Sequence, residues 1–209
     1  MFVFVTPSTT PPRAVLFDRD GTLIVNVPYN GDPGQVVLMR GAQAAVGRLR
    51  ELGIRVGVVT NQSGIGRGLL TRAEVDRVNA RVDRLLGPFD VWRLCPHTQT
   101  AGCGCRKPAP GMVYSAAAEL GVPTQRVALI GDISSDIAAA TAAGAQAVLV
   151  PTPATQPADL TTAAAIAAIA ADLIAAVELL VGPASAAAPL PGAVMSPGVA
   201  CGDSQAALE

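Results

Sequence analysis

No excess of charge of either sign marks this chain. Its 15 lysines and arginines nearly balance 16 aspartates and glutamates, so no extended field is available to hold a nucleic acid or an anionic membrane surface. Long apolar runs are missing too. The opening MFVFV is far too short to span a bilayer, and it lacks the basic start, longer apolar stretch and small-residue cleavage site of a secretory leader. The expectation is a cytoplasmic monomer acting on a small molecule, with no nucleic-acid or membrane partner. Histidine is reduced to one residue and cysteine to four. Three of those cysteines, Cys95, Cys103 and Cys105, cluster beside His97, which suits a metal clip better than a set of disulfides. Cys201 stands apart and reads as inert.

What the chain does carry is apolar bulk. Half of its 209 residues are hydrophobic, enough for one sizeable core, since domains run about 100 to 200 residues. Residues 1–12 hold threonine, serine and three prolines and read as a flexible lead. Residues 13–182 read as the domain. Apolar runs at 14–17, 54–59, 89–94, 127–130 and 147–150 suit buried strands, and helical spacing marks 41–52, 71–86, 111–120 and 135–143. Thr71 with Glu74 three residues on is a capping-box signature. Strand and helix therefore alternate, which predicts an α/β fold: a Rossmann-like parallel sheet with helices on both faces. Past Pro151 the composition turns to alanine and proline. A single Ala-rich helix is expected over 161–180, then a disordered tail over 183–209. No internal repeat is present, nor a segment large enough for a substrate-covering domain.

Chemistry-bearing residues sit where the strands are expected to end. Asp18-Arg19-Asp20-Gly21-Thr22 follows the first strand, at the edge where open α/β sheets place their ligand crevice. Two carboxylates one residue apart can divide a phosphoryl transfer. Asp18 would attack phosphorus, while Asp20 would protonate the leaving oxygen and later deprotonate water. The pentapeptide alone reads equally as a solvated acidic turn. The second strand ends in Thr60-Asn61-Gln62-Ser63-Gly64, a set of hydroxyl, amide and backbone donors suited to phosphate oxygens, though polar loops after strands are commonplace. Arg106-Lys107 supplies a cation that either faces a phosphoryl group or is solvated surface. Gly131-Asp132 with Asp136 offers carboxylates that either complete an oxygen-rich magnesium site with Asp18 or cap a helix.

Taken together and in this order, DRDGT, the Thr60-Asn61 strand end, Lys107 and GD-x3-D resemble the motifs of the haloacid dehalogenase superfamily over roughly residues 13–150. The resemblance implies Asp18 as nucleophile, Asp20 as general acid/base, and Thr60 and Lys107 as phosphoryl-binding groups. It also implies Mg2+ held by Asp18, the backbone carbonyl of Asp20, and Asp132. An aspartate two residues after the nucleophile marks that superfamily's phosphatases and mutases. A phosphoaspartate receiver module also uses Asp, Thr and Lys at strand ends, but it has no need of a carboxylate such as Asp20 to activate water.

Cys95-x-His97-x5-Cys103-x-Cys105 offers three thiolates and one imidazole, a full tetrahedral set for a closed structural Zn2+ site. The alternative is two incidental cysteine pairs near the lone histidine. With CPH, CGCRKP and TNQSGIGRG added, the chain is similar to D-glycero-D-manno-heptose 1,7-bisphosphate 7-phosphatases and to the related histidinol-phosphate phosphatase domains. That resemblance implies a phosphatase of a phosphorylated sugar, with histidinol phosphate the alternative substrate. The segment between the first two motifs leaves no room for a folded cap, so a capless enzyme is expected. The implied substrate contacts are Asn26, Val27, Pro28, Tyr29, Thr60, Asn61, Gln62, Ser63, Arg106 and Lys107. The chain departs from the pattern in a short interval between the two halves of the cysteine cluster and in Ile133, where a basic contact is common.

Overall fold

The four apolar residues after Arg13 form the central strand, β1 (Ala14–Phe17), buried along its whole length. Alternate side chains still part to opposite faces, as a pleated strand requires. Val15 and Phe17 pack into one hydrophobic cluster, and Ala14 and Leu16 into another. This computed structural model describes residues 10–183. Most of the expected flexible lead and almost all of the expected tail, Cys201 included, lie outside the described residues.

The remaining elements follow in chain order: α1 (Ala42–Glu51), β2 (Arg55–Asn61), the short α2 (Ser63–Gly66), α3 (Arg72–Leu86), β3 (Val91–Cys95), α4 (Gly111–Leu120), β4 (Val127–Gly131), α5 (Ser134–Ala142), β5 (Gln146–Leu149), α6 (Pro157–Ile166), β6 (Ala168–Ile169) and α7 (Leu173–Val181). All pairings are parallel, and the sheet order is β3-β2-β1-β4-β5-β6. Apolar side chains of α1, α3 and α7 cover one face, and those of α4 and α5 the other. The Thr71–Glu74 capping box expected from sequence starts α3. Among the described residues, no helix is long and apolar enough to cross a membrane.

Strand order decides where chemistry can happen. The chain runs outward from β1 through β2 to β3, then returns to the other side of β1 as β4. This reversal opens a crevice beyond the carboxyl ends of β1 and β4, the position where ligands bind in such sheets. Between β1 and α1 the described chain holds only a 3-10 turn at Pro33–Gln35 and isolated bridges joining Asp20 to Ile24 and Ile24 to Leu38.

One expected element is corrected. Residues 161–180 do not form a single helix: α6 stops at Ile166, β6 follows, and α7 starts only at Leu173. Alanine favours helix by a few tenths of a kcal/mol per residue, and tertiary context overrides so small a preference. The edge of β5 offers unpaired backbone groups, and Ala168 and Ile169 pair with Val148 and Leu149 there. The Asp172 side chain then accepts a 2.8 Å hydrogen bond from Ala175 N–H and begins a fresh helix.

Candidate active site

Asp18 leaves β1 still hydrogen-bonded to the sheet, its N–H donating to Ile130 C=O at 2.9 Å. The chain then turns back tightly. Leu23 and Ile24 N–H both donate to Arg19 C=O at 3.0 Å, and Gly21 N–H donates to Ile24 C=O at 2.8 Å. Glycine is required at 21 on two counts. Its φ of +87° is one that L side chains rarely adopt, and a Cβ there would stand 2.3 Å from Asp132 Oδ2. The turn thus lets the backbone after β1 lie against the carboxylate that follows β4.

Lys107 ties the crevice together. Its Nζ lies 2.5 Å from Asp18 Oδ1, 2.6 Å from Asp136 Oδ1 and 2.7 Å from Val59 C=O. The residue is 3% exposed and Asp136 is wholly buried, so these are not solvated surface charges. Asn61 fixes the lysine backbone: its Nδ2 donates to Lys107 C=O at 3.0 Å, and its Oδ1 accepts from Lys107 N–H at 3.1 Å. Sequence reasoning marked Asn61 as a substrate contact; it lines the cleft, and both ends of its amide also hold Lys107. Gln62 Nε2 in turn donates to Thr60 Oγ1 at 2.9 Å and to Asp20 Oδ2 at 2.7 Å.

Negative charge outweighs positive in this crevice. Carboxylate oxygens of Asp18, Asp132 and Asp136 all lie within 4.8 Å of one another. Burial, with Asp136, Asp20 and Asp132 nearby, pushes the Asp18 carboxyl well up from its ordinary value, against the pull of Lys107. Asp132 is raised to about 7 by burial and by Asp136. Burial alone would depress Lys107, but Asp136 and Asp18 hold its ammonium above the usual lysine range. A cluster of hard oxygen donors with unbalanced charge is what a small divalent cation such as magnesium takes.

A cleft of about 310 Å³ opens over these groups, and Asp18, Asp20, Asn26, Val27, Pro28, Tyr29, Thr60, Asn61, Gln62, Ser63 and Lys107 all line it. Nearly every residue named from sequence is thereby brought to one place. Asp132 is not on the cleft wall; it lies against Gly21, its backbone C=O accepting from Thr155 Oγ1 at 2.8 Å. Arg106 is the exception among the expected contacts. It lines an adjoining cleft of about 480 Å³ that shares Asn61, Lys107, Ile133 and Ser135 with the first. Tyr29, half exposed with φ +52°, is a non-glycine residue in the left-handed region, and its ring lies over Gly64. Ser63 and Gly64 belong to α2 and not to a loop, a turn too short to show a helical period.

The cysteine segment also assembles. Ligand atoms of Cys95, His97, Cys103 and Cys105 lie within 4.8 Å of one another. Cys105 Sγ is 3.2 Å from Cys95 Sγ and 3.5 Å from Cys103 Sγ, and His97 Nδ1 is 3.3 Å from Cys105 Sγ. Zinc–sulfur bonds of ~2.3 Å in a tetrahedron would place sulfurs roughly 3.8 Å apart, and the sulfurs here, at 3.2 to 3.7 Å, are gathered so that together with His97 they could hold a metal ion. Burial and the neighbouring Cys105 push the Cys95 thiol to about 12, while hydrogen bonds from the Arg106 backbone and from the other two thiols outweigh burial and bring Cys103 to about 6. The segment runs straight into Arg106 and Lys107, with Arg106 Nη1 donating to His97 C=O at 3.3 Å.

Sequence reasoning passed over several polar residues at this site: Asn30 and Ser135 line the cleft, and a third lies behind it. Asn79 sits on the buried stripe of α3 among Val75, Val78, Val82 and Leu86, and its Oδ1 accepts from Arg19 Nη1 at 2.7 Å. A lone amide interrupting an apolar helix stripe was the available signal.

Comparison with known proteins adds the following. Residues 104–176 match a family model described as HAD-hydrolase-like. A D-glycero-beta-D-manno-heptose-1,7-bisphosphate 7-phosphatase of Pseudomonas putida is 36% identical over 149 residues, covering 67% of this chain and 83% of its own. The enzyme of that name from Mesorhizobium japonicum is 38% identical over 148 residues, covering 64% of this chain and 68% of its own. In three dimensions, the D,D-heptose 1,7-bisphosphate phosphatase from Bordetella bronchiseptica, complexed with magnesium and phosphate, superposes with a TM-score of 0.71 at 29% identity, covering 80% of this chain and 97% of that one.

Proposed function

Since this chain belongs to the haloacid dehalogenase superfamily of phosphatases, within the D-glycero-D-manno-heptose-1,7-bisphosphate 7-phosphatase family, we propose that it removes the 7-phosphate of a heptose 1,7-bisphosphate through an aspartyl-phosphate on Asp18. The observation that carries the mechanism is Asp18 itself: an ion-paired carboxylate at the sheet's reversal point, opening on the cleft and crowded by Asp132 and Asp136. The names of the relatives support the substrate.

Asp18 attacks phosphorus in line and the bond to the sugar oxygen breaks; Asp20, also on the cleft wall, gives that oxygen its proton. Water then attacks the acyl phosphate, losing its proton to Asp20, and inorganic phosphate leaves with Asp18 restored. Lys107 orients Asp18 and sets a fixed positive charge beside the transferring group, at no reorganisation cost during the step. Thr60 supplies a hydroxyl within the same cleft. Magnesium fits the cluster of Asp18, Asp132 and Asp136 carboxylates; by the family resemblance it would be held by Asp18, Asp132 and the Asp20 carbonyl, and it would offset charge on the phosphoryl oxygens.

Asn26 to Tyr29 form the cleft wall that would meet the sugar, and Arg106 in the adjoining cleft is a cation for more distant parts of the substrate. We read the arrangement as capless, because residues between β1 and α1 hold only a 3-10 turn and isolated bridges. We assign Cys95, His97, Cys103 and Cys105 to a closed Zn2+ site that shapes the loop before Lys107 and takes no part in chemistry. The domain is read as residues 13–182, acting as a monomer in the cytoplasm.

Phosphate release tests the proposal against a panel of heptose bisphosphates, other sugar phosphates and histidinol phosphate, with and without magnesium. Turnover should require magnesium and favour a heptose bisphosphate. A preference for histidinol phosphate would overturn the substrate, and full activity in Asp18→Asn would overturn the covalent route.

A further inference from the structure

Asp20 does not stand alone in the cleft. Arg19 Nε lies 3.2 Å from both of its carboxylate oxygens, and Arg19 Nη2 donates to Oδ2 at 3.0 Å. That guanidinium is 1% exposed, and its remaining nitrogen, Nη1, donates to Asn79 Oδ1 at 2.7 Å across 60 residues of sequence. One edge of a planar fork therefore grips Asp20, and the other is anchored to α3. We propose that Asn79 is a positioning residue for proton transfer, acting through Arg19 to fix the carboxylate of Asp20. The inference rests on the acid/base role given to Asp20 above and goes beyond it by naming what holds that group in place.

Three features support this. Asn79 is the only polar member of the buried face of α3. Asparagine is a mediocre helix former, and its amide is costly to bury without partners, so at 8% exposure its place is explained by the contact with Arg19. The fork of arginine is rigid, so fixing Nη1 also fixes the direction of Nε and Nη2. Asp20 is finally pinned from the other side by Gln62 Nε2 at 2.7 Å, leaving its side chain only 21% exposed. A carboxylate held from two elements is preorganised for a proton transfer that demands correct placement.

A merely structural Asn79 would satisfy a buried guanidinium and do nothing else. The two roles separate by leaving group. As the P–O bond to an alcohol breaks, its electron pair stays on oxygen and needs the proton of Asp20; a 4-nitrophenolate leaves without one. The value of kcat/KM reports only the steps up to transfer of the phosphoryl group to Asp18, so later hydrolysis does not blur the comparison.

The experiment measures kcat/KM of the full chain for a sugar phosphate and for 4-nitrophenyl phosphate, in wild type, Asp20→Asn, Asn79→Leu, Asn79→Asp and Arg19→Lys. Asp20→Asn calibrates the assay and should depress the sugar-to-aryl ratio about 10²-fold or more. Asn79→Leu, similar in size but without an acceptor, should depress it about tenfold or more while the aryl value stays within about threefold. Asn79→Asp, which keeps an acceptor for Nη1, should restore the ratio to within about threefold of wild type. Should Asn79→Leu not fold, Arg19→Lys, which keeps the charge and loses the fork, carries the same expectation. An unchanged ratio in the folded variants, with Asp20→Asn showing its drop, overturns the inference alone. No drop in Asp20→Asn overturns the acid/base reading and this inference with it.

Discussion

Lys107 Nζ and Asp18 Oδ1, 89 residues apart in sequence, meet at 2.5 Å at the floor of the cleft. The same ammonium also lies 2.6 Å from Asp136, while Asp132 adds a further carboxylate nearby. One cation thus serves three acids, and the site is left with a deficit of positive charge that a divalent ion can fill. That deficit links the stability of the metal-free fold to its readiness to bind magnesium.

Removing the lysine should reveal both halves of that link. Lys107→Met leaves buried carboxylates without their partner, a change that costs about 3–5 kcal/mol of folding stability, and it removes a preorganised charge worth about 10²–10³ in turnover. Lys107→Arg should not rescue, because the pocket accepts one compact ammonium at three oxygens within 2.7 Å. Urea unfolding and phosphate-release assays check the two effects separately, and activity near wild type in either variant would remove Lys107 from the mechanism.

Metal-free protein should lose stability as pH rises. Asp132, raised to about 7 in the fold by burial and by Asp136, binds a proton more tightly there than in the unfolded chain, where aspartate titrates at ~3.9. Between those values the native state holds more protons than the unfolded one, so unfolding free energy falls with increasing pH; the loss from Asp132 is complete once pH has passed about 7, and Asp18, raised to about 8, extends it. Magnesium competes with those protons and should flatten or reverse the slope. Thermal melts in chelator and in magnesium, from pH 5 to pH 8.5, measure both slopes; a chelated protein that gains stability over that range would contradict the charge argument.

Much of this fold was legible because its determinants are local. Apolar runs bounded by glycine, proline or capping residues located β1 through β5 and the long helices, and the Thr71–Glu74 capping box placed the start of α3 to the residue. The site was legible for a related reason: a parallel sheet gathers its strand ends on one edge, so motifs scattered from Asp18 to Asp136 had to converge. What escaped depends on partners remote in sequence. The pairing of β6 needed the open edge of β5, and the role of Asn61 needed the backbone of Lys107, with neither partner recognisable in the local string. Asn79 escaped because it looks like an ordinary helix residue until the apolar stripe around it is drawn.

Gly21 should tolerate no side chain. Gly21→Ala sets a Cβ 2.3 Å from Asp132 Oδ2 and forces an alanine to φ +87°, a strain of about 1–3 kcal/mol. The side chain that must yield is a magnesium ligand in the reading above. The variant should therefore fold with a lowered Tm and bind magnesium at least about tenfold more weakly, since a displaced ligand costs on the order of 1.4 kcal/mol or more. Magnesium titration by calorimetry is the check, and wild-type affinity would show that Asp132 relaxes freely.

On the proposal that Cys95, His97, Cys103 and Cys105 hold zinc, loss of that metal should act on catalysis only through the loop it shapes. Cys105 immediately precedes Arg106 and Lys107, and Gly111 N–H donates to Gly104 C=O at 3.0 Å, so the cluster is tied to the start of α4 as well. A Cys103→Ser variant, or treatment with a zinc-selective chelator, should lower Tm by roughly 6–12 °C if about 3 kcal/mol is lost in a domain of this size. Amide exchange should quicken across residues 95–107 while β1, buried along its length, stays protected. Activity should fall with the loop in both cases; in the chelated wild-type protein it should return on adding zinc and fail to return with excess magnesium, whereas in Cys103→Ser, which lacks a ligand, zinc should not restore it. If turnover persists while those amides exchange freely, the Asn61 clamp on Lys107 is sufficient without the cluster, and the metal serves stability alone.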